Sequence, residues 1–430
     1  MLVICLAAVD SKARGQDPTR PADAVTVYTL GRTNLSGFRV PAYPPESLAR
    51  ARRNGLKFDD LPSLGSGLAR ISTNQFVGIT DRGPNGVGGE EESKGRRTFP
   101  LPEFCPAIVK LTVTNSQIRV SGVVPLHDGK GRFLTGLSTT EGEERLYESA
   151  DATQPIPLDP DGVDPEAIRL LPDGSYLVSE EYSPSVLVVA PDGRVLVRYT
   201  PKGKPLPGAT YPVREILPSV FAERRMNKGF ENLALSADGK WAYAILQSPM
   251  GDVAEPRYAE SRVHRVLKLD VGNALEAKVV AEYLALGDAA DHFPGKQAQQ
   301  KIYWSDADWI GPDRLLVIER GKHETHLVTV DLSRATNILG RSGESGLSFE
   351  DSTQSPVEKG VTAAEPRQVW STRGRPEFEG EKLEGLAVLQ PSEVALANDN
   401  DFGIGENPNG RPSRLWIVHL ASPLPLTEAR

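Results

Sequence analysis

The chain has 430 residues, 39% hydrophobic and 25% charged, a balance that excludes disorder, collagen and an integral membrane protein and suffices for a large core or two domains. Glycine (40) and proline (35) are in surplus without a short period, which suits many tight turns. The net charge of −8 is the wrong sign for nucleic acid bound through a general basic face, so an anionic substrate needs local arginines or a metal.

At the N-terminus, Leu2 to Val9 (LVICLAAV) is apolar and gives way to a polar segment, Asp10 to Asp23. Residues 1–23 therefore read as the end of a secretory signal plus a linker, although no basic residue precedes the apolar run. Residues 24–430 read as one domain, secreted or periplasmic. No other apolar run approaches the ~18 residues that span a bilayer. Cys5 would leave with the signal, and Cys105 in PEFCPAI reads as a small buried apolar residue, so a thiolate metal site is excluded.

Five segments then repeat one plan: a short acidic or Gly-containing opening, an apolar strand, a turn, a second apolar strand and a polar cluster. They open at Gly67, Glu166, Glu231, Asp306 and Glu384 and close near Asp81, Glu180-Glu181, Gln247, Glu319-Arg320 and Asn398-Asp399-Asn400-Asp401. Gly67 to Asp81, Glu166 to Glu180 and Glu384 to Asn398 each span 14 positions, Asp306 to Glu319 spans 13, and Glu231 to Gln247 spans 16. Two strands of about six residues and a tight turn fill that length, returning the opening acid and the closing cluster to the same end of a hairpin. Asp173-Gly174, Asp238-Gly239 and Pro312-Asp313 supply the turns.

Runs such as YLVSEEY, VLVVA and LLVIER are strand-like, not helical. The chain is therefore expected to be all-β, a β-propeller of four-stranded antiparallel blades with long loop insertions at Pro84 to Glu103, His127 to Pro160 and Gly340 to Pro366. Five blades are legible and six are preferred, the sixth coming from the termini and poorly matching segments. Val25 to Leu30 and Arg414 to Leu420 are expected to share a blade and close the ring.

Loops of a propeller converge at the channel mouth, so the reading gathers Asp81, Glu166, Glu180, Glu181, Glu231, Asp306, Glu319, Glu384, Asp399 and Asp401 into one carboxylate ring. Such a cluster needs compensating cations, and oxygen ligands with Asn398 and Asn400 favour Ca²⁺, with Mg²⁺ as the alternative. Asn398 to Gly403 (NDNDFG) is the best local ion loop, and Leu158 to Glu166, containing DPDG, is a second one that reads equally as an ordinary turn. The competing reading makes the acids turn caps or partners of Lys228 and Lys382. Arg82 and Arg320 follow cluster acids and suit either a phosphate clamp or a salt bridge. His323 and His326 read as a loop or strand edge. Nucleophile-elbow, HExxH, P-loop and dinucleotide motifs do not occur.

SGLA with TDRGPNG (Ser66 to Gly86), FPLPEFCPAIVKL, GVDPEAIRLLPDGSYLVSEEYSPSVLVV, NKGFENLALSADGKWAYAILQSPM, SDADWIGPDRLLVIERG and KLEGLAVLQPSEVALANDNDFG together resemble the phytase-like family, esterase-like activity of phytase, from about residue 60 to 420. The resemblance implies an exported propeller rich in Asp and Glu, distantly similar to Ca²⁺-dependent propeller phytases and associated with phosphoester hydrolysis. Glu231-Asn232 and Glu166-Ala167 stand where that family usually has Glu-Gly, and Gly321 where an acid is common.

The resulting expectation is a monomeric metal-dependent hydrolase of phosphomonoesters or phosphodiesters, taking a small anionic ester and spanning no membrane. In it Glu166 or Glu231 is the general base, Arg82 or Arg320 steadies charge, and Asp81, Glu180, Glu181, Asp306, Glu319, Glu384, Asn398, Asp399 and Asp401 hold metal. A lactonase or carboxylic esterase on a similar propeller, and a Ca²⁺-stabilised binding propeller without catalysis, are the alternatives.

Overall fold

The computed structural model describes residues 24–426 apart from 34, 39–41, 88–94, 140–143, 342–345, 405–406 and 408. The signal-like segment, Cys5 and most of the charged run 88–97 (GGEEESKGRR) lie outside the described residues.

The first strand, β1 (Val25–Leu30), is followed by helix α1 (Pro45–Arg53) and a hairpin of β2 (Gly67–Arg70) and β3 (Gln75–Ile79). Two short strands, β4 (Gly86–Val87) and β5 (Arg96–Thr98), interrupt before β6 (Ala107–Thr114) and β7 (Gln117–Pro125) complete the sheet. Next come β8 (Arg145–Tyr147) and β9 (Pro155–Ile156), then β10 (Pro165–Leu170), β11 (Tyr176–Glu180), β12 (Ser185–Val189), β13 (Val195–Pro201) and β14 (Val213–Leu217). A third sheet runs β15 (Phe230–Leu235), β16 (Trp241–Leu246), β17 (Val263–Asp270), β18 (Lys278–Leu286). A fourth runs β19 (Tyr303–Gly311), β20 (Arg314–Arg320), β21 (Thr325–Asp331), β22 (Pro366–Ser371). The last strands are β23 (Lys382–Gln390), β24 (Glu393–Asp399) and β25 (Arg414–His419).

The N-terminal strand closes the last sheet, as its sequence pattern suggested. β1 pairs antiparallel with β25, Val25 opposite Val418, and its other edge takes a short parallel pairing with β7 that joins the first and last sheets. Neither sheet then exposes a free edge there.

The inner strands β2, β10, β15, β19 and β23 pack side by side, and β23 returns to β2. No sixth inner strand joins them among the described residues. The small sheet β4-β5-β8-β9 has strands of two or three residues and shares no ladder with the ring.

The core lies between successive sheets. Val178 and Leu187 meet Val77 and Ile108, Val186 and Val197 meet Leu233 and Leu267, and Tyr243 and Val266 meet Val317 and Val328. Leu316 and Leu327 meet Leu396 and Trp416, and Val109 meets Ala395 and Leu415. Each fully buried aliphatic side chain is worth about 1.5–3 kcal/mol, which explains the β-branched runs on strands covered on both faces. Cys105 is buried, its thiol donating to Leu126 O at 3.2 Å.

The channel is filled, not open. Arg169 on β10 donates to Leu68 O at 2.8 Å and to Asp306 Oδ1 at 2.9 Å, and Asp306 Oδ2 accepts from Leu386 N at 2.9 Å. One guanidinium and one carboxylate thus fasten β2, β10, β19 and β23. Gly67 is required by this closeness, since a Cβ there would lie 2.6 Å from Ala167 Cα.

Candidate active site at the channel mouth

Four inner hairpins slip register by one residue at the same end. Pro165 faces Glu180 but Ala167 faces Ser179, leaving Glu166 extra, and the same slip isolates Glu231, Ser305 and Glu384. A bulge re-aims the side chain of its unpaired residue. Repeated around a ring, it brings Glu166, Glu231 and Glu384 together, each offering a carboxylate oxygen within 4.8 Å of the others. Asp164, Glu166 and Glu181 form a second triad of the same kind, sharing Glu166.

The second strand of each hairpin adds another ring. Glu180, Leu246, Glu319 and Asn398 stand opposite the residue before the bulge, and side-chain alternation sends the following residue the other way. Those following residues, Glu181, Gln247, Arg320 and Asp399, line a cavity of about 1130 Å³ together with Asp81, Asp164, Glu166 and Glu231. Arg96, Lys296, Lys301, Lys322 and Arg411 also line it, so cations and carboxylates share its wall.

The carboxylates are poorly compensated. Asp164 Oδ2, Glu181 Oε1 and Glu231 Oε2 are buried without a hydrogen bond. The nearest cations to the first two, Arg82 Nε and Lys228 Nζ, are 3.5 and 3.7 Å away. Burial, reinforced by Glu231, Asp164 and Glu181, pushes Glu166 well above the usual carboxylate range, and burial with Glu181 and Glu384 does the same to Glu231. Burial, opposed by Lys228, pushes Glu181 up to about 7, and burial with Asp399 and Asp164 raises Asp81. These orphaned oxygens fit a divalent cation, which would replace protons as the compensating charge.

Several expected ligands are placed elsewhere. Glu180 points into its own blade, paired with Arg198 at 2.8 Å and accepting from Ser185 Oγ at 3.0 Å. Asp306 is one residue past the bulge, so it faces the channel interior and Arg169, and the spacing of 13 in place of 14 carried that offset. Glu319 is also turned away, accepting from Asp288 N at 2.7 Å and Trp304 Nε1 at 2.8 Å. Asn398 serves the fold, donating to Glu381 Oε2 at 2.8 Å and accepting from Arg414 N at 2.6 Å.

The NDNDFG segment is not an ion loop, because an ammonium occupies its centre. Lys382 Nζ lies 2.6 Å from Asp399 Oδ2, 3.1 Å from Asp401 Oδ1 and 3.2 Å from Glu384 Oε2. Against the cost of burial, Lys382 holds Asp399 well below the carboxylate range, while burial leaves Asp401 raised. Asn400 ties Pro62 O and Phe402 N. In the DPDG segment, Asp159 accepts from Thr135 Oγ1, Asp161 from Thr210, and both from Arg132, so it is a pinned turn.

Arg82 is committed, donating to Gly136 O, Asn227 Oδ1, Ser138 Oγ and Glu144 Oε2 between Phe99 and Tyr182. Its guanidinium braces the wall and is not a free clamp. Arg320 also pairs, with Ser305 Oγ and Glu384 Oε1 both at 2.6 Å, but it lines the cavity. His323 lines the cavity, whereas His326 is buried on β21. Asp164, which the sequence placed inside the Leu158 to Glu166 segment without singling it out, is brought beside Glu166 and Glu181. Lys382, read only as a pairing partner, proves central.

A family described as Phytase-like, esterase-like activity of phytase, matches residues 63–402. An uncharacterized secreted protein of Arthroderma benhamiae is 26% identical over 196 residues, 40% of this chain and 38% of that one, so the match spans well under half of that relative. Among solved structures, a PQQ-bound aldose sugar dehydrogenase from Streptomyces coelicolor shares 12% identity over 93% of this chain and 100% of its own, with a TM-score of 0.32. A periplasmic gluconolactonase of Pseudomonas aeruginosa shares 13% over 84% and 86%, with a TM-score of 0.30.

Proposed function

The chain belongs to the phytase-like family, and from that premise we propose that it is an exported, metal-dependent hydrolase of phosphate esters acting at the mouth of a five-bladed propeller. The single observation carrying this reading is the trio of bulge glutamates Glu166, Glu231 and Glu384, gathered within 4.8 Å of one another from three separate blades. Strand bulges recur next to active sites, where they re-aim a side chain.

Asp164, Glu166, Glu181 and Glu384 are the residues that would hold divalent cation beside Glu231, with Ca²⁺ favoured by an all-oxygen donor set. When bound, it supplies Lewis acidity toward a phosphoryl oxygen. The chain's own residues do the rest. Glu231, whose Oε2 has no internal partner, accepts the proton of the attacking water as the phosphorus–oxygen ester bond breaks, and that proton passes to the departing alkoxide. Lys228 and Arg320 orient the anionic oxygens, and the basic side chains of the wall draw the ester in. An anionic ester suits that lining better than a neutral lactone does.

Export rests on the signal-like segment and on the secreted relative. No helix among the described residues is long and apolar enough to cross a membrane.

The test is a panel of phosphomonoester, phosphodiester and lactone substrates with and without chelator. The proposal expects chelator-sensitive turnover of a phosphate ester. Lactone turnover alone would move the chain to the esterase alternative, and thermal stabilisation by Ca²⁺ with no turnover would make it a binding propeller.

A further inference from the structure

A second group of ligating side chains lies behind the cavity wall, built from Glu319 at the end of β20, His326 on β21 and Asp288 after β18. Their oxygens and imidazole nitrogen come within 4.8 Å of one another, and all three residues are buried. We propose that Asp288, Glu319 and His326 form a mononuclear site for a divalent transition-metal ion of the Zn²⁺ class, separate from the channel mouth.

Glu180, at the same register as Glu319, is neutralised by Arg198, and the other two equivalents are the uncharged Leu246 and Asn398. Glu319 instead faces a second carboxylate, Asp288. Its Oε1 is used by Asp288 N and Trp304 Nε1, while Oε2 is fully buried with no hydrogen bond. Facing Asp288, that oxygen needs a compensating positive charge, and a bound cation supplies it in place of a proton shared between the two carboxylates.

The imidazole is prepared as a ligand. His326 Nε2 is 3.1 Å from Glu324 Oε1, and Glu324 is held by Arg373 Nε at 2.9 Å. A ring that donates one N–H to a carboxylate presents its other nitrogen as a lone pair, the arrangement that orients ligating histidines. That other nitrogen, Nδ1, lies 3.2 Å from Asp288 Oδ2. Two donors each about 2.0–2.2 Å from one ion are separated by roughly that distance. Phe293 stacks on the ring at 4.1 Å and 9°, fixing its plane.

Space is kept by Gly287. A Cβ there would lie 3.0 Å from Glu319 Oε1 and 3.1 Å from His264 Nε2. One nitrogen with two carboxylates selects a borderline ion over Ca²⁺, so the two sites differ in the metal they take.

The experiment titrates chelator-treated full-length protein with Co²⁺, read by visible d–d absorption, and then competes with Zn²⁺. One equivalent giving nitrogen-ligated bands that Zn²⁺ bleaches is expected. Glu319→Gln keeps the acceptor for Asp288 N and Trp304 Nε1 and replaces only the orphaned oxygen. It and His326→Gln should weaken Co²⁺ at least ~100-fold, and Glu324→Gln about 10-fold. Glu231→Gln should leave the bands intact, which separates this site from the channel mouth whatever the latter hydrolyses. No bands in the wild type, or bands indifferent to Glu319→Gln in a variant with wild-type circular dichroism, would overturn the proposal and leave His326 as a hydrogen-bonded bridge between Asp288 and Glu324.

Discussion

Lys382 Nζ sits 2.6 Å from Asp399 Oδ2, and by reaching Asp401 and Glu384 as well it makes the closing cluster of the last blade a self-neutralised unit. Replacing the ammonium by a methyl end, Lys382→Met, leaves three carboxylates facing one another. Because the side chain is 27% exposed, the loss should be about 2 kcal/mol, less than the 3–5 of a fully buried pair. Urea denaturation should show a larger loss at pH 8 than at pH 5, since protonation relieves the repulsion. Equal losses at both values would assign Lys382 a packing role only.

Glu180 provides the opposite control. Its carboxylate and the Arg198 guanidinium are both buried, so Glu180→Ala strands a charge and should cost about 3–5 kcal/mol without changing metal content. A drop in bound Ca²⁺ proportionally larger than the loss of folded protein would restore Glu180 to the ligand set.

The hairpin plan, the ring closure by β1 and β25 and the carboxylate-rich mouth were legible because turn signals and apolar runs report local geometry. The sixth blade preferred from the sequence has no further inner strand among the described residues, and insertions such as β4-β5 and β8-β9 obscure the period. The single-residue slips were invisible. A bulge changes which face a side chain meets without altering composition, so Ser305, not Asp306, is the counterpart of Glu166. For the same reason Glu180 and Glu319 looked equivalent to Glu181 and Arg320 until the strand alternation was fixed. Lys382 could be named as a neighbour of Glu384, but the convergence of three carboxylates on its amine requires the paired β23 and β24.

Chelated protein should lose stability as pH rises. Glu181 has its folded value raised from 4.5 to about 7 by burial, so its contribution is fully present below the ordinary value and is lost as pH climbs through about 7. One such group is worth up to about 3 kcal/mol. Urea midpoints of chelator-treated protein should therefore fall from about pH 5 to about pH 8, with saturating Ca²⁺ flattening the slope. A midpoint that rises across the same window contradicts the assignment.

Gly67 tests the packed channel. Its Cβ-to-be would strike backbone, Ala167 Cα at 2.6 Å and Ile168 N at 2.9 Å, where no flexible side chain can yield. Gly67→Ala should cost about 1–3 kcal/mol of unfolding free energy. No loss would mean that β2 and β10 can separate freely.

The most direct measurement compares wild type and Glu231→Gln in hydrolysis of bis(p-nitrophenyl) phosphate under saturating Ca²⁺. The account expects the wild-type rate to vanish with chelator and the variant's kcat to fall at least ~100-fold with no loss of urea midpoint. Full turnover by Glu231→Gln, or wild-type turnover that survives chelation, would contradict it.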